Sequence, residues 1–252
     1  MRIATTAAVV TGGASGLGAA SAAALAARGS SVFALDLESS IARAPQVDGV
    51  TYLAADVTDA DSVRSAVDTA AGSGVPLRIV VNCAGIGPSA RILGRKGVHD
   101  LALYAKIVQV NLIGTFTVLA LAAEHIAKTE GDEHGQRGVV INTASVAAYD
   151  GQVGQAAYSS SKGGIVGLTL PAARDLAQYG IRVNTIAPGI IDTPLLATVS
   201  EEFRAALADG VPFPRRLGRP DEFAQLALAI IDHDYLNGEV FRMDGALRMA
   251  PR

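Results

Sequence analysis

The chain carries one cysteine, Cys83, among its 252 residues. A single thiol excludes an intrachain disulfide and a cysteine-only metal cluster. Its four histidines, His99, His125, His134 and His233, are scattered without ligand spacing, so no metal is expected. Lysine and arginine total 21 against 24 acids, a net charge of −3, and form no basic stripe, which argues against nucleic acid as a partner. The opening stretch Met-Arg-Ile-Ala-Thr-Thr-Ala-Ala-Val-Val lacks the length of a signal peptide. The most apolar helical stretch, residues 112–123, is too short to cross a bilayer. A soluble, cytoplasmic protein without a membrane partner is therefore expected. No Pro/Ser-rich linker, repeat or composition break divides residues 1–252, which are read as one domain. There is no Gly-x-Ser-x-Gly elbow and no His or Asp placed for a hydrolytic triad.

What the chain has is glycine, 27 residues of it, and alternation. Short apolar runs at residues 7–11, 31–35, 51–54, 79–82, 139–142, 182–187 and 239–243 read as strands. Between them lie helical patterns. One covers 19–28. Another starts at Thr58, with Asp61 in a capping-box position. Residues 101–128 follow with an interruption near Gly114, then 158–178 with a kink or break at Pro171, then 220–231 with Phe223, Leu226, Ala227 and Ile230 inward. Strand–helix alternation of this kind implies an α/β fold: a Rossmann-type, doubly wound parallel sheet of seven strands with helices on both faces. Ligands then bind at the carboxyl ends of the strands.

Two features occupy such ends. After the first strand comes Thr11-Gly12-Gly-Ala-Ser15-Gly16-Leu17-Gly18. Glycines let the backbone turn tightly and approach a pyrophosphate resting on a helix N-terminus. Asp36, twenty residues after Gly16, ends the second strand. A carboxylate there accepts hydrogen bonds from ribose hydroxyls and repels a 2′-phosphate, which favours NAD over NADP. Further on, Tyr158 and Lys162 stand four apart, on one face of a helix. A free tyrosine titrates near 10. An ammonium at about 4 Å, in an effective dielectric of about 20, supplies about 4 kcal/mol, roughly three pKa units. That brings a tyrosine toward the range useful for acid–base catalysis.

Taken in order, Thr11-Gly-Gly-Ala-Ser-Gly-Leu-Gly18, Asp56-Val57, Asn82-Cys-Ala-Gly85, Asn111, Ser145, Tyr158-x-x-x-Lys162 and Pro188-Gly189 form a specific set. With them the chain resembles the short-chain dehydrogenases/reductases along its whole length. The resemblance implies roles. Tyr158 would exchange the proton, Lys162 would lower its pKa and hold the nicotinamide ribose, Ser145 would bind the substrate oxygen, and Asn111 would hold a water. Ser15 and Leu17 would meet the pyrophosphate, and Asp56 and Val57 the adenine. Cys83, Ala84, Gly85 and Pro188 would contact the cofactor, and Ile191 and Thr193 would contact its carboxamide. Gln155 would border the substrate. The reaction implied is reversible oxidation of a secondary alcohol to a ketone by a homotetramer.

Gly135-Gln-Arg-Gly-Val-Val-Ile-Asn-Thr-Ala-Ser, Val211-Pro-Phe-Pro and Leu236-Asn-Gly-Glu-Val look like the branch of the family that acts on short or branched (S)-3-hydroxyacyl-CoA thioesters. Arg91, Arg95 and Lys96 would then dock the phosphates of coenzyme A, with residues 87–103 and 195–211 framing the mouth. The alternatives are a hydroxysteroid or broad alcohol dehydrogenase, a 3-oxoacyl-carrier-protein reductase (which Asp36 disfavours), or a cofactor-binding scaffold without turnover. Intact Asn111, Ser145, Tyr158 and Lys162 argue against the scaffold. Ser160 departs from the Ala usual in these relatives.

Overall fold

The computed structural model describes residues 1–95, 97–196 and 200–251. Seven strands form one parallel sheet: β1 (Ala7–Thr11), β2 (Ser31–Asp36), β3 (Val50–Ala54), β4 (Leu77–Asn82), then, numbered past a short hairpin β5/β6 (Leu93–Gly94, Gly97–Val98), β7 (Gly138–Thr143), β8 (Ile181–Pro188) and β9 (Val240–Met243). Their spatial order is β3-β2-β1-β4-β7-β8-β9, so the order reverses between β1 and β4. The register aligns Thr11 with both Leu35 and Asn82, and Asn82 with Asn142, which brings these strand ends level.

The strands are apolar throughout rather than alternating because both faces are covered. Ala7 and Val9 face one layer with Val80, Val140 and Val183. Ala8 and Val10 face the other with Ile79, Val81, Ile141 and Phe223. The first layer is closed by α3 (Ala60–Ala71), α5 (Gly114–Ile126) and α6 (Ala156–Leu176), the second by α1 (Gly16–Ala27) and α8 (Pro220–Asp232). Each fully buried Leu, Ile or Phe here contributes about 1.5–3 kcal/mol. In α8, Phe223, Ala227 and Ile230 are buried as their spacing requires, and Leu226 is partly so.

Three local expectations are corrected. Helix α3 starts at Ala60: Asp59 is its N-cap, accepting from Asp61 N at 3.0 Å and Ser62 N at 3.3 Å, while Thr58 donates its hydroxyl to Asp56. The interruption expected near Gly114 is present, just before it. Helix α4 (Leu101–Val108) runs into a π-helical turn, Gln109–Ile113, and then into α5. Gly114 has a separate reason: a Cβ there would meet Val57 at 2.8 Å. Because the π turn joins the pieces, Leu101–Ile126 is long and apolar enough to cross a membrane by length and composition, contrary to the expectation that no stretch was; here it packs against the sheet, with Ile107, Val118, Ala122 and Ile126 buried. Pro171 does not break α6. Its missing N–H removes one bond to the carbonyl of Gly167, and at Gly167 even an added Cβ would meet nothing. The buried Ala172 and Ala173 carry the helix on over β8. Helix α7 (Glu201–Asp209) and α2 (Glu38–Ile41) were not legible; α7 starts on the Ser200 side chain, which accepts from Phe203 N. Of the 195–211 segment, residues 197–199 lie outside the described residues.

Candidate active site

The carboxyl ends of β1, β2, β3 and β4 open onto a cleft of about 850 Å³. Twelve of the residues named from sequence line it: Gly12, Ser15, Gly16, Leu17, Gly18, Asp36, Asp56, Val57, Cys83, Ala84, Gly85 and Thr193. Its floor is where β1 and β4 end together. The Thr11 hydroxyl accepts from Cys83 N and Ala84 N, both at 3.1 Å, and ties the two turns side by side. That closeness excludes side chains. Gly12 has φ +65°, and a Cβ on it would lie 2.9 Å from Ala84 N; one on Gly18 would run into the Gly12 carbonyl. Helix α1 therefore meets the cleft as bare backbone. Ser15 precedes it without capping it, so its first N–H groups face the cleft as an anion site. At the rim, Asp36 accepts from Ala14 N at 3.0 Å and Leu37 N at 2.8 Å. Asp56 is occupied locally by the Thr58 amide and hydroxyl.

Behind this cleft, β7 and α6 build the second half of the site. Lys162 is buried, and its Nζ donates to the Thr143 carbonyl at 2.7 Å. Among the described residues no carboxylate pairs with it. Burial pulls its pKa from 10.5 down to about 8. Cys83 offers little relief, since burial pushes its thiol up to about 11 and leaves it neutral. The ammonium lies 5.7 Å from the centre of the Tyr158 ring, and the Cβ of a residue replacing Gly85 would sit 3.6 Å from it. Tyr158 departs from the simple expectation. Burial pushes its hydroxyl pKa up, with the Ser145 hydroxyl partly countering. Ser145 is buried and extended, and its Oγ accepts from Ala147 N at 3.1 Å.

Asn111 sits in the π turn, wholly buried. Its Oδ1 accepts from Ile86 N at 2.8 Å, and its Nδ2 donates to Ile86 O at 2.9 Å and Ser161 Oγ at 3.0 Å. Both Nδ2 hydrogens and one lone pair of Oδ1 thus pin the segment after Gly85 to α6, and Oδ1 keeps a second lone pair for a water. Ser161 and Thr143 were not singled out from sequence. Thr143 had no side-chain signal, because Lys162 meets its backbone carbonyl, which any residue there would offer. Ser160 turns away and donates to Ala156 O.

The remaining named residues are dispersed. Pro188 ends β8 beside Met243, outside the cleft lining. Ile191 lines a separate small cavity of about 180 Å³. Gln155 stands before α6 and accepts from Gln152 N at 3.0 Å. Arg91 lines a cleft of about 490 Å³ with Leu93, Gln152, Ala156 and Ser159. Arg95 is exposed on the hairpin, and Lys96 lies outside the described residues.

A family model described as short chain dehydrogenase matches residues 6–203. The chain is 52% identical over 249 residues to the 3-hydroxyacyl-CoA dehydrogenase type-2 of Homo sapiens, covering 97% of this chain and 95% of that protein. It is 48% identical over 248 residues to the protein of that name from Drosophila melanogaster, covering 96% and 97%. The crystal structure of 3-hydroxyacyl-CoA dehydrogenase type-2 from Mycobacterium avium superposes with a TM-score of 0.93 at 43% identity, over 98% of each chain.

Proposed function

We infer the activity from one premise: the chain belongs to the short-chain dehydrogenase family and is an oxidoreductase. Our reading is that it interconverts a secondary alcohol and its ketone with NAD, and that the alcohol is a short or branched (S)-3-hydroxyacyl-CoA. The observation that carries it is the convergence of Ser145, Tyr158 and Lys162 behind a glycine-lined cleft with Asp36 at its rim.

The residues present fit the cofactor. The Gly12–Gly18 turn offers bare amides to a pyrophosphate, and Asp36 offers carboxylate oxygens to ribose hydroxyls. NAD, when bound, accepts or returns the hydride. The chain's own groups handle the proton. Tyr158 carries its proton at neutral pH, since burial holds its pKa high, and so can donate it to a carbonyl oxygen. The Ser145 hydroxyl holds that oxygen. The Lys162 ammonium, charged below about pH 8, favours the anion that Tyr158 becomes when the proton leaves. Oxidation needs that anion at the start, so it should quicken as pH rises, while reduction should slow.

The thioester is suggested by the names of the relatives, and Arg91 beside the second cleft supplies a cation for a phosphate-bearing handle. We would measure acetoacetyl-CoA reduction with NADH and with NADPH, beside a steroid panel. Turnover of acetoacetyl-CoA with a clear preference for NADH is expected, because Asp36 opposes a 2′-phosphate. Equal kcat/KM for the two cofactors would refute the NAD assignment. Steroid turnover without acetoacetyl-CoA turnover would favour the hydroxysteroid alternative.

The reading includes a homotetramer. Ile113, Phe116 and Leu170 are exposed on the π turn, α5 and α6, and at Gly163 and Gly167 a Cβ would meet nothing within 4 Å. Such a face of small and apolar residues lets a second copy approach closely; the edge strand β9 would give the second two-fold contact. Light scattering should give four copies at micromolar concentration, and a monomer there would contradict the assembly.

A further inference from the structure

We propose that Arg242 and Asp150 are positioning residues for the substrate side of the site. They fix the loop of residues 145–155, which carries Ser145 at one end and Gln155 at the other. The inference rests on the proposed function for the roles of those two residues.

The loop's own structure is one 3₁₀ turn, Val146–Ala148, bonds from Tyr149 N and Asp150 N to Val146 O, both at 2.9 Å, and one from Gln155 N to Gln152 O at 3.0 Å. What ties it to the rest of the fold comes from elsewhere. Asp150 Oδ2 accepts from Arg242 Nη2 at 2.6 Å. Arg242 belongs to β9, the last strand of the sheet. The same guanidinium donates through Nε to Asp244 Oδ2 at 2.8 Å and through Nη2 to Leu247 O at 3.1 Å, and it lies 5.1 Å from the centre of the Tyr149 ring. Asp244 is itself held by Arg248 at 3.2 Å. One planar fork thus joins the loop, the strand and the following tail. A lysine cannot reproduce that geometry.

The tail then grips the loop a second time. Gln152 Nε2 donates to Ala250 O at 2.9 Å and Val153 N to Pro251 O at 3.0 Å. Gln152 N in turn donates to the Gln155 side chain. From the opposite side, Ala90 N donates to Gly154 O at 2.9 Å. Neither Asp150 nor Arg242 lines the 850 Å³ cleft assigned to the cofactor. Loosening the loop should therefore displace Ser145 and Gln155 and leave cofactor binding alone.

The test uses Asp150→Ala, Arg242→Ala, Arg242→Lys and the Asp150→Ala/Arg242→Ala double variant, with acetoacetyl-CoA as the ketone. Misplacement of about 1 Å at a reacting group costs up to about 10²-fold. Each single variant is expected to lose about tenfold in kcat/KM, Arg242→Lys included, with the NADH dissociation constant changed by less than about twofold. The double variant should be no worse than Arg242→Ala alone, since that substitution already cuts the Asp150 contact. Amide hydrogen exchange over residues 146–155 should accelerate in all of them and not in the strands. Unchanged kcat/KM, an additive double variant, or an equal loss of NADH affinity would each overturn the proposal. A wild-type protein that binds NADH but turns over no acetoacetyl-CoA would strike the proposed function instead. The exchange data then decide whether the clamp exists: unchanged exchange in Asp150→Ala rules it out.

Discussion

Tyr158→Phe is expected to lower kcat by about 10²–10⁴-fold and to leave the fold and NADH affinity nearly intact. The substitution removes one oxygen, the one that would carry the transferable proton. The ring stays, and with it the surface that faces the Lys162 ammonium at 5.7 Å. Cofactor cleft residues are untouched, because Tyr158 does not line that cleft. Steady-state kinetics should be paired with single-turnover rates, so that chemistry rather than release is being read. A variant retaining more than about a tenth of wild-type kcat, with chemistry limiting, would mean that another group moves the proton.

Lys162→Met is expected to reduce kcat by about 10²-fold or more and at the same time to make the protein harder to unfold. The ammonium is buried with one neutral acceptor, the Thr143 carbonyl. Its native pKa of about 8 lies below its ordinary 10.5. The sign follows. The unfolded chain holds this proton more tightly than the folded one. The penalty is therefore fully present below about pH 8 and relieved as pH rises toward 10.5. The shift corresponds to about 3 kcal/mol at neutral pH. Leaving Thr143 O without a donor takes back about 1 kcal/mol. A net gain of about 1–2 kcal/mol, roughly 2–8 °C in Tm for a chain of this size, should appear near neutral pH and shrink by about pH 10. Calorimetry of both proteins across that range is the check. A lower Tm for Lys162→Met at neutral pH would show that the ammonium stabilises the fold.

Legibility from sequence followed physical range. The strands were readable because a sheet covered on both faces demands runs such as Ala7–Thr11, in which every residue is buried. The glycine turn was readable because backbone crowding at Gly12 and Gly18 leaves no alternative residue. Asp36 followed from its place at a strand end. The readings that failed depend on a competing local partner. Asp61 looked like a capping acid until Asp59, two residues earlier, took the amides. Tyr158 and Lys162 have the spacing of a coupled pair, but the destination of a lysine's four-carbon stem is decided by Thr143 on β7, a contact between elements. Arg242 carried no signal at all, since its three acceptors come from residues 150, 244 and 247.

The π turn at Gln109–Ile113 has a consequence for how this helix tolerates change in length. An α-helix advances about 100° per residue, and a π turn holds one residue more than the regular coil needs. Removing Gln109, Val110, Leu112 or Ile113 would let Leu101–Ile126 close into an uninterrupted α-helix, a more regular object with every backbone bond in register. The two ends of the helix would keep their buried faces, but the Asn111 amide would swing away from Ile86 and Ser161. A substitution here alters one contact. A one-codon deletion would instead convert the turn that shapes the site into ordinary scaffold, so in this segment the number of residues, more than their identity, carries the functional information.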